Sequence, residues 1–150
     1  MRRALDMAEA GMLRGQSPFG CIIVRDSRII AEAHNQVWRD CDPTAHAEVI
    51  AIRRAAVKLG TIDLTGCDLY STCEPCPMCA SAIHWAKISR VCYGASIADA
   101  ATAGFSELEV PIADVYSRGR SPVVILPRHL SADCAALFDR WKRLGRARTY

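Results

Sequence analysis

The chain has 150 residues, with 19 lysines and arginines against 16 aspartates and glutamates, a formal net charge of +3, and eight cysteines. With 51% hydrophobic and 23% charged residues its composition is globular, which excludes disorder and collagen-like repeats. One domain of this length buries about 68–70% of its unfolded surface, so the cysteines are not needed as disulfide staples, and a charge of +3 is too weak to imply nucleic acid by itself.

The first fifteen residues carry no apolar run, so no secretory signal is expected. The longest apolar stretches, Phe19–Val24 and Val123–Leu126, are far short of the ~20 residues that a membrane span requires. The expectation is one domain over 1–150, cytoplasmic, with no membrane partner and with cysteines that are read as chemistry before disulfides.

In chain order, residues 3–14 place Leu5, Ala8 and Met12 at helical spacing, and Gly15 stops that helix. Residues 19–25 and 28–33 are two short strands joined by Asp26-Ser27, a hairpin pattern. A polar loop over 34–44 leads to a second helix over 45–59, with Gly60 as its C-cap. A third strand follows at 67–72, a third helix at 77–86, and a buried strand at 90–94. Residues 123–126 make another buried strand fenced by prolines, and 131–144 a last helix with Ser131 as N-cap and Asp133 in its first turn. The segment 95–121 has no clear pattern. A hairpin followed by strand–helix alternation argues for an α/β fold, one mixed sheet with helices on both faces.

Two motifs carry chemistry: Pro43-Thr44-Ala45-His46-Ala47-Glu48 at the start of the second helix, and Cys73-Glu74-Pro75-Cys76-Pro77-Met78-Cys79 before the third. His46, Cys76 and Cys79 offer one imidazole and two thiolates, a set suited to tetrahedral Zn²⁺. Cys76 and Cys79 are three apart, so one helical turn points both sulfurs the same way, and a helix N-terminus favours the thiolate. Three protein ligands leave a fourth position open, which marks catalytic zinc, and such zinc lowers the pKa of a bound water to about 7. Glu48, two residues after His46, is placed to exchange protons with that water, and His-x-Glu followed by Pro-Cys-x-x-Cys is the zinc deaminase signature. The alternatives are a closed Cys₃His structural site that includes Cys73, or a redox Cys-x-x-Cys pair that gives His46 and Glu48 no part. Cys21, Cys41, Cys67, Cys92 and Cys134 read as small core residues.

At these residues the sequence resembles the cytidine deaminase-like superfamily, and its bacterial guanine deaminase branch in particular. The likeness is carried by DPTAHAEV, CEPCPMC with the following AIHWA, Pro18-Phe19-Gly20, Asn35, DAATAGFSE over 99–107 and the terminal Tyr150. It implies a three-layer α/β/α fold on a mixed five-stranded sheet. It further implies one Zn²⁺ per chain on His46, Cys76 and Cys79, Glu48 as the proton shuttle, and hydrolysis of guanine to xanthine and ammonia. By the same resemblance Asn35 and Ala47 bind the base, Phe19 and Trp85 wall it, and Glu107 contacts its amino edge as a second catalytic acid. Tyr150 closes the pocket in a homodimer, where the tail over about 140–150 swaps between subunits. Taken alone, Asn35 also reads as a turn cap, Phe19 and Trp85 as core, Glu107 as surface, and Tyr150 as a frayed end.

Guanine presents N1–H and an amino group as donors that a carboxylate accepts in pairs, whereas adenine presents a lone pair at N1. The expected partner is therefore a purine base. The rival within the superfamily is a tRNA-specific adenosine deaminase, because the last helix resembles those enzymes and Arg140–Arg148 carries five basic residues. That tail holds more than the net positive charge and leaves the rest of the chain slightly acidic, which speaks against a polyanion. A free cytosine, nucleoside or aminotriazine deaminase is a further reading, and a structural zinc module is the non-enzyme one.

Overall fold

The computed structural model describes residues 1–145 and 148–150. Five strands form one sheet: β1 (Gly20–Arg25), β2 (Arg28–His34), β3 (Asp68–Cys73), β4 (Arg90–Ala95) and β5 (Val124–Leu126), in the order β2-β1-β3-β4-β5. β1 runs antiparallel to both β2 and β3, while β3–β4 and β4–β5 are parallel. Asp26 and Ser27 close the hairpin with φ of 50° and 59°, the left-handed pair whose twist matches the flanking strands.

The helices are α1 (Arg2–Leu13), α2 (Val37–Asp40), α3 (Ala47–Leu59), α4 (Pro77–Trp85), α5 (Ile97–Ala103), α6 (Ile112–Gly119) and α7 (Ser131–Arg143). α1 and α7 cover one face of the sheet, and α3 covers the other, with α4 and α6 beside it. Two glycines let the first layer approach. A Cβ on Gly20 would stand 2.1 Å from the Ala4 carbonyl oxygen, and one on Gly94 would stand 2.1 Å from Cys134 Sγ. Cys21, on the opposite face from Gly20, lies near Glu48 of α3. The α/β/α layering and the mixed five-stranded sheet are as the sequence predicts.

Three local readings are corrected. β5 is not buried: it is the last strand in the sheet order, and Val124 and Leu126 are half exposed. Leu130, in the left-handed region at φ 52°, is the N-cap of α7, so Ser131 is its first helical residue and caps nothing. The second predicted helix starts at Ala47, with His46 as its cap. The unassigned segment holds α5, opened by a reciprocal Ser96–Asp99 capping box, and α6, entered through Pro111. No helix among the described residues is long and apolar enough to cross a membrane.

Candidate active site

His46 and Cys76 hold equivalent places. Each is an extended N-cap residue, with ψ of 153° and 167°, so each side chain projects past its helix end. Pro77 suits the first helical position of α4 because its missing N–H is not needed there. Cys79 follows within the same turn. His46 Nδ1 stands 3.8 Å from Cys76 Sγ and 3.6 Å from Cys79 Sγ, and the three ligand atoms lie within 4.8 Å of one another. Tetrahedral bonds of about 2.3 Å to sulfur and 2.0–2.1 Å to nitrogen separate N and S by about 3.6 Å. The donor set therefore fits zinc in both chemistry and spacing. Cys73 stays outside it, buried, with its thiol directed at the Ser96 carbonyl oxygen at 3.5 Å, so no closed Cys₃His site forms.

The hydrogen bond from Cys79 holds the Cys76 thiol down to about 4, the bond to His46 adding to it, so a thiolate is ready for a cation. Burial works against the charged His46 ring, but its contact with Cys76 and the nearby Glu48 outweigh burial and raise its pKa. Glu48 is 5% exposed, and burial lifts its carboxyl above the ordinary range. Ser71 on β3 donates to Glu48 Oε1 at 2.8 Å, and Glu48 Oε2 lies 3.6 Å from Cys79 Sγ. Glu48 is thus oriented toward the ligands without being one.

A small cavity of about 10 Å³, room for roughly one water, lies against the triad. Phe19, Asn35, Glu48 and Glu107 line it. Asn35 is fully buried; its Oδ1 accepts from Val37 N–H, and its Nδ2 donates to the Tyr150 hydroxyl at 2.6 Å. Tyr150 of the same chain lies beside the site, its ring 5.6 Å from that of His46 and its main-chain oxygen accepting from Ser106 N–H. Phe19 packs edge-on against Phe105 at 4.9 Å, and Phe105 stacks on Trp141 of α7 at 5.1 Å. Glu107 is half-buried; burial, and then the Cys76 thiolate, push its carboxyl up to about 7.

A family model, the zinc-binding region of cytidine and deoxycytidylate deaminases, matches residues 1–95. The chain belongs to this deaminase family. Guanine deaminase from Bacillus subtilis is 41% identical over 100% of this chain and 96% of its own length. A tRNA-specific adenosine deaminase from Aquifex aeolicus is 44% identical over 63% of each chain. A solved structure of the Bacillus subtilis guanine deaminase, 39% identical, covers 99% of this chain and 95% of that one, with a TM-score of 0.68. As a family member the chain is a zinc-dependent hydrolase of C–N bonds, and the triad is where the zinc belongs.

The deaminase fold brings together most of the residues expected from the sequence, with one exception. Trp85 ends α4, about 13 Å along the helix axis from its start at Cys76, and is 80% exposed beside His84 and Val123. It cannot wall a base in its own chain's site. Ala47 is fully buried in the first turn of α3. Of the basic tail, Arg140 pairs with Glu9 and Arg148 lies over the Trp38 ring, while Arg146 is outside the described residues. The sequence reading missed Ser71, Phe105 and Trp38, whose indole N–H donates to the Arg148 carbonyl oxygen. Ser71 had one signal, a hydroxyl in the strand that enters the cysteine motif.

Proposed function

We propose that this deaminase acts on guanine, converting guanine and water to xanthine and ammonia. The observation that carries the reading is full-length similarity to a guanine deaminase, coinciding with an acid at 107 beside the metal triad. When bound, zinc supplies the Lewis acidity that makes water a nucleophile near neutral pH. Glu48 takes a proton from the attacking water and passes it to the leaving amino group. A carboxyl lifted by burial suits both halves of that exchange. Glu107 accepts from the guanine N1–H and amino group, and adenine, with a lone pair at N1, is refused. The Asn35 amide hydrogen-bonds the base once Tyr150 releases it, the Ala47 backbone lies beside it, and Phe19 forms one wall.

The reading extends to a cytoplasmic enzyme of purine metabolism that works as a homodimer, its tails exchanged across the two sites. Trp85, Leu108 and Val110, exposed in the single chain, support an apolar contact between copies. A second reading, a tRNA-specific adenosine deaminase, has one observation in its favour: Arg14, Arg39, Arg148 and Trp38 line a basic groove beside Tyr150.

The test is ammonia release from guanine, guanosine, adenine, cytosine, cytidine and a tRNA anticodon stem-loop, each beside the Glu48→Gln chain as a blank. Guanine turnover that vanishes in that variant is the expected result. Turnover of the stem-loop with guanine inert would move the assignment to the tRNA branch.

A further inference from the structure

Glu74 has no part in the reaction above, yet it sits between Cys73 and Cys76 and lines the same cavity. Its two carboxylate oxygens are engaged on different helices. Oε1 accepts from Ile112 N–H at 3.0 Å and Oε2 from Ile97 N–H at 3.2 Å. These are the first residues of α6 and α5, whose leading amides have no acceptor within their own helix. Ile112 is wholly buried and Ile97 is 5% exposed, so water is a poor substitute acceptor. The Glu74 backbone is itself fixed, donating its N–H to the Ala95 carbonyl oxygen at the end of β4 at 2.8 Å.

Between those two amides runs the segment that carries Phe105, Ser106 and Glu107. Past Gly104 it has no helix or strand of its own until α6 begins. One carboxylate on the cysteine loop therefore holds both ends of the segment that presents Glu107.

We propose that Glu74 is a positioning residue that sets Glu107 against the metal triad, an inference that rests on the reading of Glu107 as the base-contacting acid. The position needs two acceptors. A glutamine offers one acceptor and one donor, so its amino group would face an N–H. An aspartate keeps the charge but is one methylene too short to span both amides.

The test is a cycle of four chains: the natural sequence, Glu74→Gln, Glu107→Gln and the double variant. Each is measured for zinc content and for kcat and KM with guanine. Glu74→Gln is expected to keep one zinc per chain and to lose about tenfold or more in kcat/KM, and to change it less than about twofold when Glu107 is already Gln. A role in general stability alone gives losses that multiply, which overturns the proposal, as does loss of zinc or a Glu74→Gln chain with normal kcat/KM. If Glu74→Gln does not fold, Glu74→Asp takes its place, with the same dependence on Glu107 expected. A Glu107→Gln chain of full activity refutes the reading of Glu107 and the positioning role with it. An impaired Glu107→Gln chain beside a silent Glu74 variant refutes the positioning role alone.

Discussion

Glu48 and Glu107 are lifted in the same direction by burial, and the two carboxyls have different work to do. In the proposed reaction Glu48 both takes and gives a proton, whereas Glu107 must be ionised to accept two donors from guanine. A protonated Glu107 would present a donor of its own and repel the base. Its pKa, pushed up to about 7 by burial and by the Cys76 thiolate, therefore sets an acid limb: kcat/KM rises with pH as Glu107 loses its proton. Zinc on Cys76 draws off the thiolate charge, so the limb of the holoenzyme belongs between the ordinary carboxylate value and about 7. A pH profile of kcat/KM from pH 4.5 to 8 checks this. Glu107→Gln should lower the plateau and remove the limb, and an unchanged limb would assign it to another group.

At the scale of elements, the sheet is fitted to its first helix by the absence of a side chain. A methyl on Gly20 meets the backbone of α1, the Ala4 carbonyl oxygen at 2.1 Å and the Ala8 nitrogen at 2.6 Å, and backbone cannot rotate away. Gly20→Ala should cost about 1–3 kcal/mol, read as a lower urea midpoint at unchanged slope. Gly119 is the contrast, since a methyl there meets nothing within 4 Å and α6 is helical, so Gly119→Ala should be neutral or gain up to about 1 kcal/mol. A chain in which both substitutions behave alike would remove the close-packing account of Gly20.

The same scale explains what could be read from the sequence. His46 with Glu48, and Cys76 with Cys79, were legible because each relation lies within one helical start, where spacing alone sets direction. Ser71 and Glu74 were not, because their partners lie 23 to 38 residues away and are reached only through the sheet order. Trp85 was misread for the converse reason. Nearness to the cysteines in sequence becomes distance along a helix, and the α4 axis carries it away from the cavity. α5 and α6, at seven and eight residues, are too short for an apolar period to stand out.

At the scale of the whole molecule, Tyr150 is seated against Asn35 and His46 of its own chain, and the proposed homodimer exchanges that tail for the partner's. Tyr150 is held by Asn35 through its hydroxyl, by Ser106 through its carbonyl, and by Phe105 and Trp38 through ring contacts at 5.8 and 6.4 Å. Those contacts define the seat that, in the proposed exchange, the partner's tail would take. Removing Thr149 and Tyr150 opens the cavity to solvent and frees Ser106 N–H, so the truncated chain should have a higher KM or a lower kcat for guanine. Mixing separates the two arrangements. The Glu48→Gln chain has an intact tail and a dead site, and the truncated chain has a live site and no tail. In a dimer with exchanged tails, a mixed pair puts the good tail over the good site. Since about half of the dimers are mixed and each has one complete site of two, refolding the two variants together in equal amounts restores activity toward about a quarter of that of the natural chain's sites. If each tail serves its own chain, no pair contains a complete site and the mixture stays at the level of the truncated chain. The proposed exchange requires recovery on mixing, and its absence assigns Tyr150 to the site of its own chain.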